Sequence, residues 1–110
     1  MTMRPYSLNI TRIKCHSTND YTGSDDLVGV MGPVRFPIGS FTPGNDYNLD
    51  IKQIVPAGEF YLNIIETDLS GDDEIGMIDL SAIMDFQTVK NVQGADASYD
   101  ITILVQSVSD

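Results

Sequence analysis

The sequence predicts an all-β fold, an antiparallel eight-stranded β-sandwich, from three features. Short runs with apolar residues at alternate positions recur along the chain. Turns rich in Gly, Pro and Asp separate them, and no long segment carries helical periodicity. Many short strands with turn signals between them pack as two layers around one core. At 110 residues and 42% hydrophobic content, the chain has the size of a single domain, residues 1–110, with a modest core.

In chain order, Tyr6, Leu8 and Ile10 alternate with polar residues, and the apolar parity then slips to Ile13 and Cys15. One extra residue near Thr11 or Arg12 accounts for the slip as a bulge. Residues 16–26 are a polar loop with three aspartates, Asp20, Asp25 and Asp26. Residues 27–31 form a short apolar strand that reverses at Gly32-Pro33 into residues 34–41. The Pro43-Gly44 turn leads to a strand over residues 47–55, in which Tyr47, Leu49 and Ile51 alternate. Pro56-Ala57-Gly58 breaks it before residues 59–65, whose adjacent apolar residues indicate burial on both faces or a bulge. Residues 75–80 read as a strand ending in an irregular or helical turn near residues 81–85, and residues 86–92 as a further strand. A turn at residues 94–98 precedes the clearest alternation, Tyr99, Ile101, Ile103 and Val105. The expected core therefore includes Leu8, Ile10, Phe60, Leu62, Ile64, Ile101, Ile103 and Val105.

Charge narrows the function classes. Sixteen acidic against six basic residues give a formal charge of −10, and only Lys90 is basic after Lys52. A phosphate backbone repels such a surface, so nucleic acid is excluded as the expected partner. The single cysteine, Cys15, permits no intrachain disulfide and reads as a small buried residue whose neighbour His16 points to the opposite face. No apolar run approaches the length of a membrane span, and the first residues lack the apolar core of a signal peptide, so a soluble domain is expected. The Asn9-Ile10-Thr11 glycosylation triplet falls inside a strand.

The most informative stretch is Glu66-Thr-Asp-Leu-Ser-Gly-Asp-Asp-Glu-Ile-Gly76, in which an apolar strand runs into a turn with five carboxylates. Carboxylate oxygens are hard donors suited to calcium, and several on one turn repel each other unless a cation or water lies between them. Strand parity connects this turn to the earlier polar loop. If the strands run up and down in order, the first and fifth leave the sandwich at the same end. Residues 20–26 and 66–74, with three and five carboxylates respectively, then share one pole and hold eight of the sixteen acidic residues.

These two segments resemble the calcium loops of the C-two domain family, the calcium- and lipid-binding β-sandwich of protein kinase C and synaptotagmin. Asp20-Tyr-Thr-Gly-Ser-Asp-Asp-Leu-Val28 is similar to the family's first loop. Glu66-Thr-Asp68 with Asp73-Glu-Ile-Gly76 is similar to its third, and the likeness extends over nearly the whole chain. The resemblance implies Asp20, Asp25, Glu66, Asp68 and Asp73 as ligands of Ca2+, with Asp26, Asp72 and Glu74 in reserve. The chain departs from the family pattern where Glu66 stands for Asp and Asp26-Leu27 for Pro-Tyr. The basic strand by which some members bind phosphoinositides is missing, only Arg35 and Lys52 standing in that region.

Other chemistries fit less well. Asp68, Ser70, Asp72 and Asp79 match EF-hand positions, but Asp73 occupies the position that needs Gly. With no Trp and one His, and no nucleophile triad or phosphate-binding Gly loop, a non-enzymatic domain is expected. The expected role is a calcium-binding module that docks protein partners or self-associates through its acidic loops. Calcium-dependent binding to anionic phospholipid membrane, with Tyr21 and Leu69 entering the interface, is the alternative. A metal-free structural sandwich is the second alternative.

Overall fold

In a computed structural model, residues 5–18, 25–68 and 71–107 are described. They form eight strands: β1 (Tyr6–Ser17), β2 (Asp25–Met31), β3 (Val34–Phe41), β4 (Asp46–Val55), β5 (Tyr61–Asp68), β6 (Gly71–Asp79), β7 (Thr88–Gly94) and β8 (Ala97–Ser107). One turn of 3-10 helix, Leu80–Ile83, stands between β6 and β7 where the sequence predicts an irregular or helical turn. Its first turn is capped by Asp79, whose carboxylate accepts from the Ser81 backbone N–H at 3.0 Å.

The strands make two four-stranded sheets, ordered β4-β1-β8-β7 and β3-β2-β5-β6, and every pairing between them is antiparallel. This is the predicted β-sandwich. Each strand contributes alternate side chains to the interlayer. Ala97, Tyr99, Ile101, Ile103 and Val105 of β8 are all buried. In β1 the register against β8 slips between Ile10 and Arg12, so Leu8 and Ile10 before the slip and Ile13 and Cys15 after it all face inward. Cys15 is fully buried and His16 exposed, as their adjacency on a strand requires. Of the expected core only Phe60 departs: it is half-buried ahead of β5, packing at the sandwich end with its ring 6.3 Å from that of Tyr6.

A larger correction concerns the acidic stretch. Glu66, Thr67 and Asp68 continue β5, and Gly71 to Gly76 belong to β6, so the supposed turn is mostly a ladder that reaches the register Asp68↔Gly71. Backbone pairing with β2 on the other side, Leu27↔Glu66 and Asp26↔Thr67, extends the strand past the point where its apolar residues stop.

The sheets approach closely along one margin, where Gly94 of β7 lies over β6. A Cβ built on Gly94 would stand 2.4 Å from the carbonyl oxygen of Ile75, a backbone atom that no rotamer change can move. Gly94→Ala is therefore expected to destabilise the fold by about 1–3 kcal/mol, read as a lower melting temperature. An unchanged melting curve would show that β7 can withdraw from β6 freely.

Candidate functional site

At one end of the sandwich lie the last residues of β1, β3, β5 and β7, Ser17, Phe41, Asp68 and Gly94, and the first residues of β2, β4, β6 and β8, Asp25, Asp46, Gly71 and Ala97. The pairing Ser17↔Ser98 joins β1 to β8 there, Asp25↔Phe41 and Asp26↔Thr67 join β2 to β3 and β5, and the bond from the Tyr99 hydroxyl of β8 to Asp25 of β2 links the two sheets at that end. The link between β3 and β4 is tied to β1 by two backbone bonds, Cys15 N–H to Asn45 O at 3.0 Å and Gly44 N–H to Cys15 O at 2.8 Å. Thr42 and Asn45 brace the same link around the Tyr47 hydroxyl: Thr42 N–H donates to it at 3.0 Å and the Thr42 hydroxyl lies 2.8 Å away. These bonds from Thr42 hold the Tyr47 phenol below its ordinary pKa. The ends of β1 and β5 therefore share a pole, as strand parity predicts.

At this pole the described residues contain two buried charged side chains, Asp25 at 0% and Glu66 at 2% exposure. Both are candidate ligands from the sequence. Asp25 is the first residue of β2 and not part of a loop, and Glu66 lies within β5. Leu27 and Glu66 are directly paired, and Asp25 stands two residues from Leu27 on the same face. The two carboxylates are therefore diagonal neighbours on the inner face of adjacent strands. Asp73 of β6 pairs with Glu66 on the far side and is exposed. Hence β2, β5 and β6 place Asp25, Glu66 and Asp73 side by side across the mouth of the sandwich.

The remaining carboxylates serve otherwise or cannot be placed. Asp26 is exposed and takes a hydrogen bond from the Ser40 hydroxyl. Asp72 accepts from Arg35 at 3.4 Å. Asp20, Tyr21, Leu69 and the side chain of Asp68 lie outside the described residues. Among the described residues no three His, Cys, Asp or Glu side chains converge closely enough to hold a metal ion by themselves. The donors that are present, carboxylate oxygens on inner-face positions, are of the hard type that fits calcium.

One participant escaped the sequence reading. The Tyr99 hydroxyl, fully buried on β8, donates to Asp25 Oδ2 at 2.5 Å. Burial first, and then the bond to the Asp25 carboxylate, push the Tyr99 phenol well above its ordinary pKa, so it remains a donor. Burial likewise raises the Cys15 thiol, which leaves it a poor nucleophile. Phe41 completes the floor, its ring 5.0 Å from Tyr47 and 6.1 Å from Tyr99 in edge-on arrangements. The inward parity of Tyr99 was legible, but its partner stands 74 residues away.

No family model matches this chain. No curated protein matches it either. Among solved structures, a human cytosolic phospholipase A2 (GIVD), in complex with methyl gamma-linolenyl fluorophosphonate inhibitor and terbium chloride, is similar over 99% of this chain at 14% identity and a TM-score of 0.55. The chain spans 18% of that protein's length. The C-two A domain of a plant extended synaptotagmin 1 aligns over 100% of this chain and 99% of its own, at 7% identity and a TM-score of 0.45. The chain has a C-two-like β-sandwich fold, and the likeness extends to the fold alone.

Proposed function

We propose that this C-two-like sandwich is a non-enzymatic module that binds a hard divalent cation, calcium, at its loop pole and docks a protein partner or a second copy of itself there. The observation that carries the reading is the burial of Asp25 and Glu66 side by side on the inner face at that pole. Buried carboxylates are costly when ionised, and a cation with several oxygen ligands offsets both the burial and their mutual repulsion. Asp25, Glu66 and Asp73 supply the strand-borne oxygens in this reading, and Asp20 and Asp68 the rest. The terbium chloride in the structure of the human phospholipase agrees with it, terbium being a hard, oxygen-seeking cation.

Surface charge favours a protein partner over an anionic membrane. Arg12 is engaged by Asp46 at 2.9 Å and Arg35 by Asp72 at 3.4 Å, so two of the described cations are already balanced. A surface of net charge −10 also repels acidic headgroups. Titration calorimetry with calcium is expected to show saturable binding that Asp25→Asn weakens at least tenfold; absence of heat at millimolar calcium would refute the cation site. Sedimentation velocity is expected to show association that depends on calcium. Calcium-dependent cosedimentation with phosphatidylserine vesicles, without self-association, would instead establish the membrane reading.

A further inference from the structure

We propose that β4 is a self-recognition edge: two copies of this chain pair antiparallel along it, about a two-fold axis at Ile51, and join their four-stranded β4-β1-β8-β7 sheets into one continuous sheet. The contact needs no cation and runs along the side of the sandwich, so it is separate from docking at the loop pole. Among the described residues β4 is hydrogen-bonded to β1 alone, and no strand lies beside its other edge. The inward row of β4 shows the same gap. Ala97, Tyr99, Ile101, Ile103 and Val105 of β8 are all buried, whereas Tyr47, Leu49 and Ile51 of β4 pack against the core yet stay half-buried. Their uncovered side is the lateral one, where a further strand would lie.

The other edges are guarded. β3 carries Pro37, which has no N–H to offer, and β6 carries three successive carboxylates, Asp72, Asp73 and Glu74. β7 lies against β6, with Gly94 over the backbone of Ile75. β4 has none of these devices: its ten residues alternate outward and inward without Pro or Gly. Its two central outward side chains are opposite in charge. Asp50 and Lys52 are 78% and 74% exposed, and 4.0 Å separates them within the chain, so both are free to meet a stronger partner. With Ile51 opposite Ile51 of the second copy, antiparallel pairing sets Asp50 across from Lys52 of that copy, and Lys52 across from its Asp50. The inward row then matches Ile51 with itself and Tyr47 with Val55. Sliding by two residues sets Lys52 against Lys52 in one direction and Asp50 against Asp50 in the other, and sliding by one sets inward against outward side chains. Charge and face thus select one register. Each copy has one such edge, so the two-fold pairing closes at a dimer.

Sedimentation velocity in chelator, over a concentration series, is expected to show an equilibrium of monomer and dimer. Asp50→Lys sets like charges opposite each other at two symmetric places, as does Lys52→Asp, and each is expected to weaken the dimer by about tenfold or more. Both side chains are exposed, so neither reversal threatens the fold. An equimolar mixture of the two variants again sets opposite charges across the edge and is expected to form a heterodimer. The double variant, with both reversals in one chain, is expected to recover the homodimer. Amide hydrogen exchange in β4 is expected to slow as concentration rises. A protein that stays monomeric in chelator at millimolar concentration overturns the inference. So does a dimer that the single reversals leave intact, or one that neither the mixture nor the double variant recovers. Association that appears only with calcium sinks the β4 edge and leaves the pole standing, whereas dimerisation in chelator without any heat from calcium sinks the cation site and leaves the edge standing.

Discussion

Replacing Ile64 by alanine is expected to cost about 4–5 kcal/mol, near the upper end of the range for an aliphatic side chain cut back to a methyl group in a core. The reason lies in its row of the sheet. Ile64 is fully buried at the middle of β5, and its two cross-strand neighbours are Gly29 and Gly76. Neither has a side chain that could lean into the space left behind. The Phe36 ring already covers Gly29, where a Cβ would stand 2.4 Å from its Cζ, and Val92 covers Gly76 at 2.9 Å. A cavity at this position therefore persists, and the cost follows its residual volume. Thermal melting is expected to fall by about 15–30 °C, given the usual shift per kcal/mol in a domain of this size. A fall of only a few degrees would mean that the sheets close over the gap, and that the glycines flanking Ile64 do not limit relaxation.

The fold was readable because each strand has one apolar face. Tyr99, Ile101, Ile103 and Val105 declare the inner face of β8 without help from any other element, and the slip from Ile10 to Ile13 declares the bulge in β1. Strand ends were harder to read. Glu66 to Asp68 and Gly71 to Glu74 look like a turn by composition, yet they are paired strand, because a ladder extended from both neighbours outweighs the preference of Asp and Gly for turns. Asp25 reads as a loop residue for the same reason; its pairing with Phe41 makes it the first residue of β2.

The pole was legible in part. Strand parity alone places the exits of β1 and β5 together, and the resemblance to the C-two loops adds Asp25 and Glu66 as ligands. Composition, however, cannot tell a buried carboxylate from a solvated one, and it grouped Asp26 and Asp72 with the same cluster. Face decides the difference: Asp25 and Glu66 turn inward, whereas Asp26 bonds to Ser40 and Asp72 to Arg35 on exposed surfaces. The bond between Tyr99 and Asp25 left no local trace, since only the closing of one sheet over the other brings the hydroxyl to the carboxylate.

Calcium is expected to raise the melting temperature strongly, and Glu66→Gln to remove that response while stabilising the protein that lacks calcium. Folding carries Asp25 and Glu66 from water to an interior face where their charges lie on adjacent strands. Like charges there repel, and burial strips each carboxylate of its water, and both effects cost stability. A cation seated between them reverses the sign, and the unfolded chain cannot hold the same ligands together. At a hundredfold excess over its dissociation constant, calcium then contributes about 2.7 kcal/mol by mass action. In a domain of this length that corresponds to about 10–20 °C in melting temperature. Glutamine keeps the size of Glu66 but discards its charge and turns one acceptor oxygen into a donor. In chelator the Glu66→Gln variant is expected to melt a few degrees higher than the unsubstituted protein, and added calcium to leave it where it is. Magnesium, which demands octahedral geometry and sheds water reluctantly, is expected to do much less in either protein. If Glu66→Gln melts lower in chelator and still responds fully to calcium, Glu66 is a structural acid and the cation site, where one exists, lies outside the inner face.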